Sequence, residues 1–97
     1  IYQGLVFDDA AGYPTGLAVG DDLYVLNSFS KFFGMTGWRL GWMVVPEAAV
    51  DGITRLAQNL YISPPSISQY AALAAFEPDA MRVHEARRRA FAGRRDR

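Results

Sequence analysis

Two compact apolar runs, Leu23-Tyr24-Val25-Leu26 and Leu40-Gly41-Trp42-Met43-Val44-Val45, bracket a segment with glycines at 34 and 37. That arrangement leaves the chain few ways to fold. Each run is short, β-prone and apolar at consecutive positions, the pattern of a strand covered on both faces. Asn27-Ser28 ends the first run and Pro46 stops the second. Residues 31 to 38 read as an irregular loop, so Lys31 and Arg39 flank one loop at the edge of a sheet.

The rest of the chain alternates with these runs in the manner of an α/β layer architecture. Gly4-Leu5-Val6-Phe7 is a further short apolar run, followed from Asp8 to Gly20 by a connecting loop rich in Gly, Pro, Asp and Ala. From Glu47 to Leu60 the apolar residues Val50, Ile53, Leu56, Ala57 and Leu60 recur at helical spacing, with Pro46 at the entry. Ser66-Ile67-Ser68-Gln69 matches a capping box, with Ser66 accepting from a backbone amide and Gln69 reaching back, and predicts a helix to about Phe76. Pro78-Asp79 marks another helix start, with Asp79 as N-cap and Gly93 as the stop.

Ninety-seven residues, about half of them apolar, are enough for one core and carry no disorder signature. Ten basic and ten acidic residues cancel, which argues against electrostatic capture by nucleic acid or a membrane. The distribution is uneven: seven arginines lie between Arg82 and Arg97, while Asp8, Asp9, Asp21 and Asp22 make the first part acidic. There is no cysteine, so neither a disulfide framework nor a thiolate metal site can form, and redox chemistry does not fix the compartment. No apolar run is long enough to span a bilayer and no signal peptide is seen, so a cytoplasmic protein is expected.

Lys31 is the only lysine, and it sits in Ser28-Phe29-Ser30-Lys31-Phe32-Phe33-Gly34-Met35-Thr36-Gly37-Trp38-Arg39-Leu40-Gly41. A lone amine with two hydroxyls before it and an arginine eight residues on has the parts to hold an aldehyde and a phosphate together. Ser28, Phe29, Ser30, Lys31, Gly34, Met35, Gly37, Arg39, Leu40 and Gly41 meet every constrained position of a family pattern. The stretch resembles the lysine motif of the class I and II aminotransferases, fold-type I enzymes that use pyridoxal 5'-phosphate. A looser likeness runs from Ile1-Tyr2 to Ser63-Pro64-Pro65-Ser66 and weakens over the arginine-rich end.

The resemblance implies an α/β fragment of the aminotransferase-like fold-type I large domain, a mostly parallel sheet flanked by helices. Residues 1–78 would belong to that cofactor-binding domain, and residues 79–97 would form a helix leading toward a C-terminal small domain. The family's catalytic unit is several times longer, so the chain is expected to be an internal piece without a complete site, inactive until joined to its flanks.

The same resemblance implies that Lys31 condenses with the cofactor aldehyde to an imine, which an incoming amino acid displaces, and that the freed amine then shuttles the proton converting amino acid to 2-oxo acid. Arg39 matches the family's phosphate-binding arginine, its planar fork suited to two oxygens. Ser28 matches the phosphate-binding hydroxyl and Ser30 would add a second, although two serines here also suit a turn that bonds nearby backbone. Tyr2 matches a tyrosine that hydrogen-bonds the ring's phenolic oxygen; the aspartate that pairs with the ring nitrogen would fall just before residue 1. Tyr61 to Ser66 resembles a segment near the dimer interface, and a homodimer is implied.

Other candidates read as structural. Phe32, Phe33, Trp38 and Trp42 suit packing better than a pocket. His84, alone among charges in a helix, reads as solvated and has no partner set for a metal. The cluster Arg87-Arg88-Arg89 with Arg94-Arg95 reads as a solvated helix face. A pyridoxal-phosphate carbon–sulfur lyase and an aminotransferase-like domain of a transcriptional regulator would carry the same motif, since one fold hosts several chemistries.

Overall fold

Val25–Ser28 (β1) and Gly41–Val44 (β2) pair as an antiparallel two-stranded sheet, with Val25 opposite Val44, Leu26 opposite Met43, Asn27 opposite Trp42 and Ser28 opposite Gly41. The computed structural model describes residues 1–8 and 12–97. The strands run antiparallel because the chain between them turns back without a crossover helix. An otherwise parallel sheet often carries such a pair at its margin. Gly41 permits the register, since a Cβ there would stand 2.6 Å from the Asn27 carbonyl oxygen. One further bond, Phe29 N–H to the Leu40 carbonyl at 3.1 Å, closes the base of the loop between the strands.

Both strands start later than their apolar runs, and neither is buried. Leu26 is 56% exposed and all four residues of β2 are open to solvent. The runs are apolar on both faces, as expected of covered strands, but a two-stranded ladder lacks the neighbours to cover them. Residues 4–7 form no strand. The connecting loop carries a 3-10 turn at Gly16–Ala18, started by Thr15, whose hydroxyl accepts from Leu17 N–H; its part at residues 9–11, including Asp9, lies outside the described residues.

Three helices follow. After a 3-10 turn at Glu47–Ala49, α1 (Val50–Leu60) forms where the apolar period placed it, but its stripe packs against little and no residue of it is buried. In α2 (Ser66–Ala75) the capping box does not form. Pro65 is the N-cap and has no N–H to be reached, so Gln69 donates instead to the Pro64 carbonyl at 2.9 Å. In α3 (Pro78–Arg95) Glu77 is the N-cap and Pro78 occupies the first turn, where a missing N–H costs nothing. Asp79, expected as the N-cap, lies two places beyond it and pairs with Arg82. Gly93 does not stop α3, which runs two residues past it without a left-handed turn.

The core lies between the loop and α2. Phe29, Met35, Ala72 and Ala75 are buried together, with Phe33, Leu40 and Ala71 at their margin. Phe29 contacts Phe33, Trp42 and Phe76 at ring-centroid distances of 5.0, 5.1 and 5.8 Å. Such pairs contribute about 0.5–1.5 kcal/mol each beyond their area. α2 meets the loop through Ser68, Ala72 and Ala75, at i, i+4 and i+7, so its small residues let the loop approach closely. Its large apolar residues Ile67, Tyr70 and Leu73 face outward. The radius of gyration, 15.7 Å, exceeds the about 12.5 Å of a compact chain of this length.

Candidate functional site

The loop between β1 and β2 is built from local bonds that place its side chains one after another. Ser28, at the end of β1, accepts from Ser30 N–H at 3.0 Å, the turn that a serine pair at this spacing favours. The Lys31 carbonyl then accepts from Gly34 N–H at 3.0 Å, closing a four-residue turn with Phe32 and Phe33 at its centre. Gly34 has φ +67°, a region that side chains avoid. The Thr36 hydroxyl donates to the Ser30 carbonyl at 2.8 Å, and the Thr36 carbonyl accepts from Arg39 Nη1 at 2.9 Å. Arg39 itself adopts the left-handed conformation, φ 51°, as the chain swings into β2.

Ser28, Ser30 and Arg39 thus share one hydrogen-bond network, Ser30 through its backbone N–H and carbonyl, with Thr36, at a position the family pattern leaves free, as the link. Ser28 Oγ is used as an acceptor, which leaves its hydrogen free to donate. Arg39 is exposed, spends one nitrogen on Thr36, and lines a cleft of about 360 Å³ together with Tyr61, Ser63, Pro64 and Pro65. Between the lining residues Tyr61 and Ser63, Ile62 has φ 69° and is 81% exposed. A β-branched residue held there stores about 1–2 kcal/mol, the kind of strain that gathers around functional sites.

The Lys31 amine lies over the Tyr2 ring, 5.5 Å from its centroid, a cation–π arrangement that brings the first and the central candidate together. Among the described residues no carboxylate pairs with Lys31. A primary amine without a competing anion, two hydroxyls and a guanidinium are the donor types that an aldehyde and a phosphate call for, and the chemistry of these residues suits a ligand carrying both; Lys31 lies on the Tyr2 side of the loop and Arg39 on the side of the Tyr61 cleft.

Two supports of the loop carry little signal in the sequence. Ser68 on α2, 3% exposed, donates to the Trp38 carbonyl at 2.7 Å and fixes the segment entering Arg39. The stripe Ser68, Ala72, Ala75 was the one pattern that could have revealed it. His84 is not solvated: it is 7% exposed, against Phe32 and Phe33. Burial pushes its pKa below 6.5; the Ala75 carbonyl opposes that shift and the Arg87 charge adds to it. An exposed-looking helix register hid this, because the covering rings come from residues fifty positions away.

The family model for aminotransferase class I and II matches residues 1–97. The chain is 42% identical over 80 residues to a valine–pyruvate aminotransferase of Mycobacterium tuberculosis, covering 82% of this chain and 21% of that protein. It is also 42% identical over 86 residues to a (5-formylfuran-3-yl)methyl phosphate transaminase of Methanocaldococcus jannaschii, covering 84% of this chain and 22% of that protein. The crystal structure of an aminotransferase from Mycobacterium tuberculosis superposes with a TM-score of 0.94 at 38% identity, over 99% of this chain and 26% of that one. The chain therefore spans about a quarter or less of the proteins it matches.

Proposed function

The chain belongs to the class I and II aminotransferase family, and on that premise we propose that it is the cofactor-binding segment of a longer, pyridoxal-phosphate-dependent aminotransferase that exchanges amino groups between an amino acid and a 2-oxo acid. The observation that carries this reading is the closed loop on the β1–β2 stem, with the Lys31 amine over Tyr2 and Ser28, Ser30 and Arg39 on one hydrogen-bond network. The aminotransferase names of the relatives favour amino transfer over elimination or a regulatory role.

When bound, the cofactor supplies an electron sink for the negative charge that develops at the substrate's α-carbon. Lys31 would hold the aldehyde through its amine and, once released, would take a proton from that carbon as base and deliver it as acid to the former aldehyde carbon, with the reverse transfer when the 2-oxo acid is consumed. Arg39 and the Ser28 hydroxyl hold the phosphate, with Ser30 as a further hydroxyl. Tyr2 would hold the cofactor ring through its phenol. Residues 1–78 would be part of the large domain, and residues 79–97 the helix toward a small domain. A homodimer fits the outward-facing Tyr61 and Ile62 beside the Arg39 cleft. A cytoplasmic location is part of the proposal, and no helix among the described residues is long and apolar enough to cross a membrane.

The test is the visible absorption of the whole protein with pyridoxal phosphate, compared with Lys31→Ala. The expected result is a band that needs Lys31, bleaches with an amino acid and returns with a 2-oxo acid. A band indifferent to Lys31→Ala would remove the assignment of Lys31. A Lys31-dependent band that no oxo acid restores would remove amino transfer.

A further inference from the structure

α3 grips the Lys31 turn through two side chains that the proposed reaction does not use. The His84 ring packs against Phe32 and Phe33, the central residues of the turn, with centroids 5.6 and 5.5 Å away. Its Nε2 is 3.2 Å from the Ala75 carbonyl oxygen at the end of α2, and its Nδ1 is 3.1 Å from Arg87 Nη2. A carbonyl only accepts and a guanidinium only donates, so Nε2 carries the hydrogen and Nδ1 is bare. Neutral imidazole in this one tautomer satisfies both neighbours. The other arm of the same guanidinium lies against Gly34, where a Cβ would overlap Arg87 Nη1. The turn is therefore held on its ring side by His84 and on its backbone side by Arg87.

A second proton on the ring would sit on Nδ1, facing a group that has only hydrogens to offer. It would also place two cations in contact in a partly desolvated site. The surroundings offer little relief. Arg87 is the charged neighbour on α3, α2 contributes the Ala75 carbonyl, and the turn contributes two phenyl rings. Lys31 faces Tyr2, and Glu85 is engaged by Arg88.

We infer that His84 is a positioning residue for Lys31: as a neutral ring it works with Arg87 to hold the turn that begins at the amine, and protonation at Nδ1 releases that turn. This rests on the reading of Lys31 as the cofactor-binding amine.

The test begins without cofactor, as hydrogen exchange of the whole protein read on the peptide covering residues 29–38 and corrected for intrinsic exchange. Protection is expected to fall roughly tenfold, the scale of one lost hydrogen bond to a charged group, as the pH drops below 6.5. His84→Phe keeps the ring packing and removes the titration, so its profile should be flat. Arg87→Gln removes the opposing charge and should move the fall to higher pH. With pyridoxal phosphate added, the Lys31-dependent absorption should change at the same pH as the exchange.

A wild-type profile as flat as that of His84→Phe would overturn the inference. So would an unmoved midpoint in Arg87→Gln, a result that stands even where His84→Phe folds poorly. Flat exchange with intact Lys31-dependent absorption would reject the latch alone. Titrating exchange without that absorption would reject the cofactor reading, and with it the positioning of a reactive amine.

Discussion

Ser68 donates its buried hydroxyl to the Trp38 carbonyl, thirty residues earlier in the chain, and so ties α2 to the backbone immediately before Arg39. Replacing it with alanine leaves that part-buried carbonyl without its side-chain partner. Ser68→Ala should lower the unfolding free energy of the whole protein by about 1–3 kcal/mol. It should also weaken pyridoxal-phosphate binding, because Arg39 would lose its anchored neighbour. Denaturant unfolding and a cofactor titration read the two effects. Unchanged affinity alongside lowered stability would limit Ser68 to packing.

Arg39 distinguishes charge from shape. Arg39→Ala should weaken cofactor binding by roughly 10–100-fold, the equivalent of one charge-assisted hydrogen bond or a bidentate pair. Arg39→Lys should recover only part of that, since an ammonium lacks the planar fork. Titration with pyridoxal phosphate, and with pyridoxal lacking the phosphate, separates the cases. Equal losses for both ligands would place Arg39 away from the phosphate.

Gly34 serves two constraints at once, its left-handed φ and the guanidinium pressed against it. Gly34→Ala should cost about 1–2 kcal/mol for the backbone alone, and more because Arg87 must move. A double-mutant cycle with Arg87→Ala isolates the second part. A coupling above about 0.5 kcal/mol is expected for residues in contact, and strict additivity would argue that Arg87 does not rest on the turn.

Gly41 is decided by the sheet. A Cβ 2.6 Å from the Asn27 carbonyl forces the strands apart, and Gly41→Ala should cost about 1–3 kcal/mol, as overpacking does. The loss should appear as faster amide exchange at Phe29, whose N–H closes the loop base. Unaltered exchange there would show that the stem tolerates the strain.

The pH dependence follows from His84. Its pKa is lower in the fold than the 6.5 of the free side chain, so the unfolded chain takes up the proton first as pH falls. The stability that neutral His84 provides is full above 6.5 and is lost as the pH drops through the folded value. His84→Phe should flatten that part of the stability–pH curve, checked by thermal unfolding between neutral pH and about pH 5, the range in which histidine titrates. A curve in that variant identical to wild type would assign the acid sensitivity elsewhere.

What could be read from the sequence were the local features. The loop between two β-prone runs, the helical period of Val50, Ile53, Leu56, Ala57 and Leu60, and the spacing from Ser28 to Gly41 all depend on neighbours in the chain. Ser66 and Gln69 misled because the capping box assumes an N-cap with an N–H, and Pro65 has none. Gly93 misled because a glycine permits a helix stop without requiring one. His84 and Ser68 were hidden for another reason: their partners, Phe32, Phe33 and Trp38, lie far away in sequence, and burial by them leaves no trace around His84 and only the small-residue stripe Ser68, Ala72, Ala75 around Ser68. The exposure of β1 and β2 was misjudged because composition tells what a strand can be covered by, not whether the cover lies in the same segment.

The stem that closes the loop has a mechanical consequence. Lys31 and Arg39 lie on a lariat whose two feet, Phe29 and Leu40, are bonded to each other. Tilting or sliding the sheet carries amine and guanidinium along as one rigid piece, so their spacing survives a rigid-body movement of the surrounding protein. Adding or deleting a single residue between the feet would alter that spacing directly. The loop is thus indifferent to where it is carried and sensitive to how long it is.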